Sequence, residues 1–289
     1  MHVLITGGNG TVGNAIIDQL GDTDGYEFTC LDVEDHPDRE TVVADITDRD
    51  DLRGHFDDVD AVIHLAAVVD LSGSWETILQ NNIIGTYNVL QAAAEAEVEK
   101  FIFASSIHTV GMYEIELSPE IYDPEYDLAV THEDPVRPDS FYGLSKVFGE
   151  AVGRLFVENQ ENPLGDMHPT YVTNTRDYPT SFYALRIKTV LGDEYDHPYG
   201  FAEMGVDKGW WKRDSKEYEY MPDRLKCTLL SHRNLGQLVD LLLGHDERGF
   251  DIFWGVSDND GIWVDLSHTQ KRLGYKPQDN GAEWDIPPK

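Results

Sequence analysis

The sequence is poor in cysteine. Its 289 residues include only Cys30 and Cys227, too few for a disulfide framework. Cys30 lies in an apolar run that predicts a buried strand, where a free cysteine behaves as a small apolar residue. The sequence shows no Cys/His cluster with the spacing of metal ligands, so we expect no metal site.

Long apolar runs are also missing. No run reaches the roughly 18–20 residues that a membrane-spanning helix needs. The N-terminus, MHVLITGGNG, shows no basic region followed by a long apolar stretch, so it does not resemble a signal peptide. We therefore expect no membrane partner and a cytoplasmic location.

Basic residues are scarce relative to acidic ones. The chain has 22 Lys plus Arg, ten of them lysine, against 54 Asp plus Glu, which gives a formal net charge of -32. Nucleic acids and anionic membranes both need basic patches, so neither is expected as a partner. Disorder is excluded because 40% hydrophobic and 11% aromatic residues can fill a sizeable core. The composition favours a protein adapted to high salt, where a Debye length of roughly 3 Å at 1 M screens self-repulsion. A merely acidic mesophilic protein is the alternative.

Short apolar runs alternate with helical patterns through the first part of the chain. Helical periodicity covers residues 11–20, 75–98 and 140–158. The apolar runs that predict strands lie at residues 2–6, 26–31, 41–44, 60–65, 101–104 and 181–187. Continuous apolar strands separated by helices indicate a parallel sheet that is covered on both faces. The sequence thus predicts an α/β fold with a doubly wound parallel sheet of the Rossmann type.

The pattern becomes less regular after residue 187. A helix is predicted at residues 234–243, a strand at 250–256, and a short helix at 267–273 that Gly274 ends. Residues 193–224 carry many acids and aromatics with little periodicity. We interpret this part as a small C-terminal lobe built on the edge of the sheet, with no Pro/Ser-rich linker before it.

A glycine-rich turn follows the first predicted strand and opens the first predicted helix. Gly7, Gly10 and Gly13 have the spacing G-x-x-G-x-x-G. Glycines at these places allow a tight turn, close approach to a pyrophosphate and close packing of helix on strand. The helix N-terminus supplies free N–H groups for the phosphates. The turn therefore predicts a dinucleotide site, against the simpler alternative of a turn that only needs glycine.

Acidic residues follow the second and third predicted strands. Asp32 lies 19 residues after Gly13, where a carboxylate accepts hydrogen bonds from the ribose hydroxyls and repels a 2′-phosphate. NAD is therefore the predicted cofactor. Arg39 lies near enough in sequence to leave NADP open. Asp45 is placed to accept a hydrogen bond from the adenine amino group.

Tyr142 and Lys146 lie four residues apart on the helix predicted at residues 140–158. This spacing places the phenol and the ammonium on one helix face, about one turn apart. A nearby lysine and a positively charged nicotinamide favour the phenolate, which can then remove a hydroxyl proton as hydride leaves the same carbon. Ser106 follows the fifth strand, at the sheet edge where ligands bind, and can bind the reacting oxygen. These three residues are the predicted catalytic set.

Together these residues resemble the extended short-chain dehydrogenase/reductase superfamily over most of the chain. The closest resemblance is to uronate dehydrogenases and related NAD(P)-dependent sugar 1-dehydrogenases, a family that includes a glucose-6-phosphate dehydrogenase of halophiles. The matching segments are residues 78–88 (ILQNNIIGTYN), 103–111 (FASSIHTVG), 142–150 (YGLSKVFGE), 254–260 (WGVSDND) and 273–280 (LGYKPQDN). From the change of pattern after residue 187 we predict an NAD(P)-binding Rossmann domain at residues 1–187 and a small substrate-binding lobe at 188–289, interleaved with the sheet.

The resemblance implies oxidation of a cyclic sugar at its anomeric carbon, which gives a lactone and reduced cofactor. We also expect a homo-oligomer. The cofactor-binding residues that it implies, including those above, are Gly7, Asn9, Gly10, Thr11, Val12, Gly13, Asp32, Asp45, Ile46, Leu65, Ala66, Ala67, Asn82, Tyr142 and Lys146.

The sugar site is carried over only in part. Ser106 and His108 match a family serine and histidine, Thr189 matches a serine after the sixth strand, and Arg224 matches the arginine that binds a carboxylate. Ile107 and Val69 stand where the family has an asparagine and a serine. Losing two polar contacts leaves a uronate, a sugar phosphate and a neutral sugar all open as substrates.

Simpler roles remain for some of these residues. His108 could only satisfy backbone groups, and Arg224 could form a surface pair with the adjacent Asp223. Residues 158–181 and 193–220 are longer than the family's loops. Four aromatic residues of the second insert either cap the sugar pocket or form a surface or subunit contact: Trp210, Trp211, Tyr218 and Tyr220.

Two other functions use the same fold. A nucleotide-sugar dehydratase would need an Asp-Glu pair beside Ser106, where this chain has Ile107 and His108. An epimerase would retain NAD and need a larger nucleotide-binding lobe. A non-catalytic NAD-sensing protein would not need the complete set of Ser106, Tyr142 and Lys146.

Overall fold

Seven strands form one parallel sheet in the computed structural model, which describes residues 1–158 and 177–283. In chain order they are β1 (His2–Thr6), β2 (Glu27–Asp32), β3 (Thr41–Val43), β4 (Ala61–His64), β5 (Lys100–Ser106), β6 (Ser181–Ile187) and β7 (Gly249–Gly255). Their order across the sheet is β3-β2-β1-β4-β5-β6-β7, with every neighbouring pair parallel. The chain thus winds outwards in both directions from the β1–β4 pair, and the predicted doubly wound fold is confirmed.

Helices cover both faces of this sheet. In the described ranges the α-helices are α1 (Thr11–Leu20), α2 (Trp75–Ile78), α3 (Gly85–Glu95), α4 (Gly111–Leu117), α5 (Phe141–Glu158), α6 (Gly200–Asp207), α7 (Lys216–Thr228), α8 (His232–Leu243) and α9 (Ser267–Leu273). A π-helix, Leu79–Ile84, joins α2 to α3. None of the described helices is both long and apolar enough to cross a membrane.

Alternate residues of β1 enter two separate cores. Val3 and Ile5 pack into the core that holds Ile16 of α1 and Leu235 of α8, whereas Leu4 packs into the core under α3 and α5. All seven residues of β6 are buried as well. A strand covered on both faces is apolar throughout, which is why these strands appear in the sequence as continuous runs.

The structure agrees with most of the predicted elements near the site. The predicted helix at 75–98 starts at Trp75 but ends at Glu95 and contains the π-helix. The predicted strand near residue 250 becomes β7, which pairs with β6 in the main sheet. The division of the chain at residues 187 and 188 stays a prediction.

Helices α4, α6 and α7 were not predicted, because they lie in stretches of weak periodicity. Tertiary contacts fix these helices: α6 packs on α7, and α4 is joined to α7 by an ion pair described below. Most of the insert at 158–181 lies outside the described residues.

Candidate active site

A cleft of about 800 Å³ lies at the carboxyl ends of the strands. In open α/β sheets ligands bind at this edge, at the point where the strand order reverses. Fourteen of the predicted site residues line the cleft: Gly7, Asn9, Gly10, Thr11, Val12, Asp32, Asp45, Ile46, Leu65, Ala66, Ala67, Ser106, Tyr142 and Lys146. Its lining also includes residues that sequence reasoning missed, among them Glu34, Asp35, Val68, Asn81, Ile187, Lys188 and Val190.

The glycine turn at one end of the cleft has the geometry that its spacing predicts. Gly7 has φ +72°, and a Cβ there would lie 2.6 Å from the backbone nitrogen of Ala66. A Cβ on Gly13 would lie 2.3 Å from the carbonyl oxygen of Gly8, so only glycine lets α1 pack this close. Gly10 precedes the first residue of α1, which leaves the helix N-terminus open towards the cleft. Gly13 does not line the cleft, and its contribution is the close contact between α1 and Gly8.

Carboxylates dominate the neighbouring wall. The Asp32 carboxylate accepts hydrogen bonds from the backbone N–H groups of Asn9, at 3.0 Å, and Val33, at 2.8 Å. Glu34 and Asp35 line the same end of the cleft. Three carboxylates disfavour a 2′-phosphate here and are compatible with the free ribose hydroxyls of NAD.

Arg39, the residue that left NADP open, turns away from this wall. Its Nη1 lies 3.4 Å from the carbonyl oxygen of Gly8, and its Nη2 donates to Asn14. Arg39 is therefore held on the glycine turn, outside the cleft lining, and does not face a ligand in this arrangement.

Asn82 supports the cleft wall from behind. Its side-chain oxygen accepts a hydrogen bond from the Val68 N–H at 2.8 Å, and its Nδ2 donates to the Val68 carbonyl at 3.0 Å and to the Ser145 hydroxyl at 3.1 Å. The π-helix carries Asn82, which ties the loop after β4 to α5. Asn82 lies outside the lining, so the geometry gives it a positioning contact.

The predicted catalytic residues come together at the centre of the cleft. Ser106 ends β5, and Tyr142 and Lys146 lie one turn apart at the start of α5. A Cβ on Gly143 would lie 2.3 Å from the carbonyl oxygen of His108, so glycine next to Tyr142 lets α5 approach the end of β5. Tyr142 is 7% exposed and Lys146 is 4% exposed.

Burial perturbs both ionisable groups of this set. It raises the pKa of the Tyr142 phenol to about 12, and a hydrogen bond with Ser106 opposes that rise. Burial also lowers the pKa of Lys146 to about 7. The Lys146 Nζ lies 5.6 Å from the centroid of the Tyr142 ring. The phenol therefore needs added positive charge in the cleft before it ionises near neutral pH.

His108 lies behind Tyr142 and is held by a carboxylate. Its Nδ1 is 2.6 Å from Oδ2 of Asp139, and its ring meets the Tyr142 ring edge-on with centroids 5.7 Å apart. Burial raises the pKa of Asp139, but hydrogen bonds from His108 and Ser140 and the charge of His108 together hold that pKa below its usual value. His108 is absent from the described cleft lining, so its predicted sugar contact stays a prediction. Asp139 was missed because nothing in its local sequence pointed to His108.

Arg224 pairs across the fold with Glu114 of α4. Its Nε donates to Oε1 of Glu114 at 2.6 Å, and its Nη2 donates to Oε2 at 3.2 Å. The alternative of a surface pair with Asp223 is therefore wrong: the Arg224 side chain is 22% exposed and the Glu114 side chain 9%. Tyr122 also donates to Oε1 of Glu114 at 2.5 Å. Glu114 could not be predicted as the partner, because 110 residues separate it from Arg224 in sequence.

Thr189 connects this network to the end of β6. Its hydroxyl lies 3.2 Å from the hydroxyl of Thr228, which in turn donates to the Arg224 carbonyl at 3.0 Å. Neither Thr189 nor Arg224 lines the cleft as described. Their predicted contacts with a sugar stay predictions.

The two apolar replacements differ in position. Ile107 is 2% exposed and belongs to the core, whereas Val69 is 73% exposed and lines the cleft. Only the second lies where a missing hydroxyl would leave a substrate group without a partner.

The aromatic residues of the second insert lie off the described cleft lining. Trp210 and Trp211 pack on each other, with ring centroids 5.8 Å apart, and Tyr218 donates to Glu203. Tyr220 packs edge-on against Tyr122, at 5.8 Å, and so adjoins the Glu114 network. Whether they cap a bound sugar stays a prediction.

Three possible metal ligands gather away from the cleft. His132, Asp251 and His268 each place a ligand atom within 4.8 Å of the others. The two imidazole rings stack with centroids 3.7 Å apart at 20°, so the lone pairs of their nitrogens lie in two nearly parallel planes. Asp251 already accepts from Ile252 N–H at 2.8 Å and from Arg272 Nε at 3.2 Å. These contacts explain the cluster as a polar network, and the absence of a metal site stays a prediction.

Comparison with known proteins places this site in a family. The NAD dependent epimerase/dehydratase family model matches residues 3–193. An NAD-dependent glucose-6-phosphate dehydrogenase of Haloferax volcanii is 34% identical over 98% of this chain and 95% of the relative. An L-arabinose 1-dehydrogenase (NAD(P)(+)) of the same organism is 30% identical over 97% of this chain and 98% of the relative.

A solved structure resembles the whole described fold. The glucuronic acid dehydrogenase of Chromohalobacter salexigens has a TM-score of 0.71 and 28% identity, and the alignment covers 98% of this chain and 86% of that chain. These relatives agree with the predictions of an NAD-dependent oxidoreductase and of a salt-adapted protein. The family model matches more than half of the sequence. The chain therefore belongs to the NAD dependent epimerase/dehydratase family, as the resemblance to extended short-chain dehydrogenases predicted.

Proposed function

We propose that the protein oxidises a cyclic aldose at its anomeric carbon to a lactone, with NAD as hydride acceptor and Tyr142 as the base. One observation carries the proposal. Tyr142, Ser106 and Lys146 line the same cleft as the glycine turn and Asp32, so a dinucleotide held at the turn and a sugar beside Tyr142 would share one cavity.

The chain's own residues divide the work. Gly7, Gly10 and the start of α1 would hold the pyrophosphate, and Asp32 would accept hydrogen bonds from the adenosine ribose. Bound NAD supplies the electrophilic carbon that accepts the hydride, and its nicotinamide adds positive charge. The Tyr142 phenolate oxygen takes the proton of the sugar's anomeric hydroxyl, while the Ser106 hydroxyl holds that oxygen in place.

Lys146 contributes charge rather than a proton-transfer contact. With a pKa of about 7, the Lys146 amine is partly protonated at neutral pH, and it lies on the same side of α5 as Tyr142. A positive charge there favours the phenolate over the phenol. Because burial opposes ionisation of Tyr142, the positive charge of bound NAD would favour the phenolate and so couple ionisation of the base to occupancy of the site.

We infer an aldose because Tyr142 needs a hydroxyl to deprotonate and because the sugar dehydrogenase relatives cover almost the whole chain. A uronate, a sugar phosphate and a neutral aldose all remain candidates for this site. Homo-oligomerisation and a cytoplasmic location stay predictions from the sequence.

The test is a panel of free aldoses, uronates and sugar phosphates assayed in molar KCl, with NAD and NADP compared. We expect one sugar class to reduce NAD stoichiometrically, with release of reduced cofactor detected by its absorbance. Conversion of a nucleotide sugar without release of reduced cofactor would replace this proposal by the epimerase alternative. Binding of NAD with no turnover on any sugar would favour the NAD-sensing alternative.

A further inference from the structure

Lys188 is a buried lysine that the catalytic scheme above does not use. It follows β6 directly, and its backbone N–H donates to the Gly255 carbonyl of β7 at 3.0 Å. Ser106 pairs with Ile187 in the sheet register, so Lys188 lies at the same sheet edge as the catalytic serine. Lys188 is 6% exposed and lines the cleft that Tyr142 also lines. Its small exposed surface therefore borders the site of reaction.

The Lys188 ammonium is poorly compensated in the structure. Its Nζ lies 3.5 Å from the Cys227 carbonyl, the limit of a hydrogen bond, and 4.1 Å from the centroid of the Trp263 ring. No salt bridge to it is found within residues 1–158 and 177–283. A carbonyl contact and a ring replace only part of the hydration that burial removes from an ammonium.

The charged groups around Lys188 leave an excess of positive charge. Glu114 of α4 is the carboxylate that acts on it, and Arg224 and Cys227 act on it from α7. Glu114 already holds the Arg224 guanidinium with both oxygens and accepts from Tyr122. Burial of Glu114 raises its pKa, but Arg224 together with Tyr122 and Lys188 holds that pKa below its usual value. Two cations, Lys188 and Arg224, thus share one carboxylate whose side chain is only 9% exposed.

We propose that Lys188 binds the anionic substituent of the sugar, a carboxylate or a phosphate, and thereby selects an anionic aldose over the matching neutral one. This inference rests on the proposed function, because it requires a sugar beside Tyr142. A bound oxyanion would supply the missing charge and accept the ammonium's unused donors. Lys188 is in this scheme a specificity-determining residue and takes no part in the proton transfer.

The assignment of Lys188 also predicts a pH dependence of anion binding. Burial lowers the pKa of Lys188 to about 7 in the chain without ligand. An anion binds the protonated form, so its affinity should weaken as pH rises above about 7, by up to about tenfold per pH unit. The affinity for a neutral aldose should not weaken in this way above pH 7. The titration of Lys146, by contrast, should affect neutral and anionic sugars alike.

The experiment compares wild type with Lys188→Met on glucuronate, glucose 6-phosphate and glucose, in molar KCl with saturating NAD. We expect KM for the preferred anionic sugar to rise by about 10- to 100-fold, as the loss of one charged hydrogen bond requires. kcat/KM for glucose should change less than threefold, and the rise of the anion's KM above pH 7 should disappear. Carboxylate and phosphate are told apart by which of the two sugars loses affinity.

Two further variants separate recognition from structure. Lys188→Arg keeps the charge and should retain most of the preference for an anionic sugar. Lys226→Met removes a lysine of α7 that lies outside the described cleft lining and should leave all three sugars unaffected. Melting temperatures should show Lys188→Met to be at least as stable as wild type, because it removes a poorly paired buried cation.

Calorimetric titration of NAD-loaded Tyr142→Phe with each sugar, with and without Lys188→Met, gives a second readout, because a protein that lacks the base should bind the sugar without oxidising it. Equal losses on glucose and on both anionic sugars, or a wild type that prefers glucose, would overturn the role of Lys188 while the proposed function stands. Binding of an anionic sugar that depends on Lys188, with no oxidation of any sugar, would overturn the proposed function and retain the anion site. Absence of both binding and oxidation would overturn both.

Discussion

Replacement of Tyr142 by phenylalanine removes one oxygen from the centre of the cleft. The ring is 7% exposed and packs against the His108 ring, so its packing should survive the change. Loss of a general base typically costs about 10²–10⁴-fold in rate, which corresponds to about 3–5.5 kcal/mol of transition-state stabilisation. We therefore expect kcat of Tyr142→Phe to fall into this range.

The structure also predicts how the wild-type rate depends on pH. With a phenol pKa of about 12, only about one Tyr142 in 10⁴ is ionised at pH 8 in the chain without ligand. Because raising the pH favours the phenolate, kcat/KM of wild type should rise with pH until the base is ionised in the loaded cleft. The Tyr142→Phe variant should lack this rise.

Steady-state assays with the preferred sugar give kcat, and quenching of tryptophan fluorescence gives the Kd for NAD. Tyr87→Phe is the matched control, because Tyr87 lies on α3, is 41% exposed and contacts the Phe156 ring edge-on at 6.3 Å. It should behave as wild type. Retention of more than about a tenth of kcat in Tyr142→Phe would refute the assignment of the base. A loss confined to NAD affinity would instead make Tyr142 a cofactor contact alone.

Three further predictions concern the cofactor, the core and salt. Asp32→Ala should narrow the preference for NAD over NADP, measured as the ratio of the two kcat/KM values, whereas the control Asp38→Ala should keep the wild-type ratio. An unchanged ratio in Asp32→Ala would mean that Asp32 does not face the ribose. Glu150→Ala should lower the free energy of unfolding by about 3–5 kcal/mol, because it strands the buried Arg186 guanidinium. On the same helix, Glu158→Ala breaks an exposed pair with Arg154 and should cost less than about 1 kcal/mol in urea denaturation; similar losses would contradict the burial argument. The melting temperature should fall as KCl is lowered from about 1 M to about 0.01 M, where the Debye length approaches 30 Å; a salt-independent melting temperature would contradict salt adaptation.

The cofactor half of the site could be predicted because its signals are local in sequence. A strand, three spaced glycines and a helix follow one another within the first 20 residues. At each of these glycines a Cβ would lie close to neighbouring backbone atoms. The role of Asp32 could be predicted from its position at the end of the next strand alone. Tyr142 and Lys146 needed only the periodicity of one helix.

The substrate half could not be predicted in the same way. Glu114 and Arg224 meet through tertiary packing of two helices that have weak sequence patterns, and Asp139 reaches His108 from 31 residues away. Lys188 did leave a signal, since it directly follows a buried strand at the edge where ligands bind. The lack of a salt bridge to Lys188, however, depends on which residues the fold places around it, and residue spacing in the sequence does not predict this.

The contrast between the acidic chain as a whole and the buried Lys188 ammonium at the cleft also bears on how fast an anionic substrate arrives. An anionic sugar must approach a body of formal net charge -32 before it can touch Lys188. In dilute salt the repulsion extends over roughly 30 Å and should slow each encounter, whereas at about 1 M it fades within roughly 3 Å. The association rate constant for such a sugar should therefore increase with ionic strength, the reverse of the behaviour of electrostatically steered pairs. Concentrated salt would then act on this protein twice, by keeping the chain folded and by opening its approach to charged substrates.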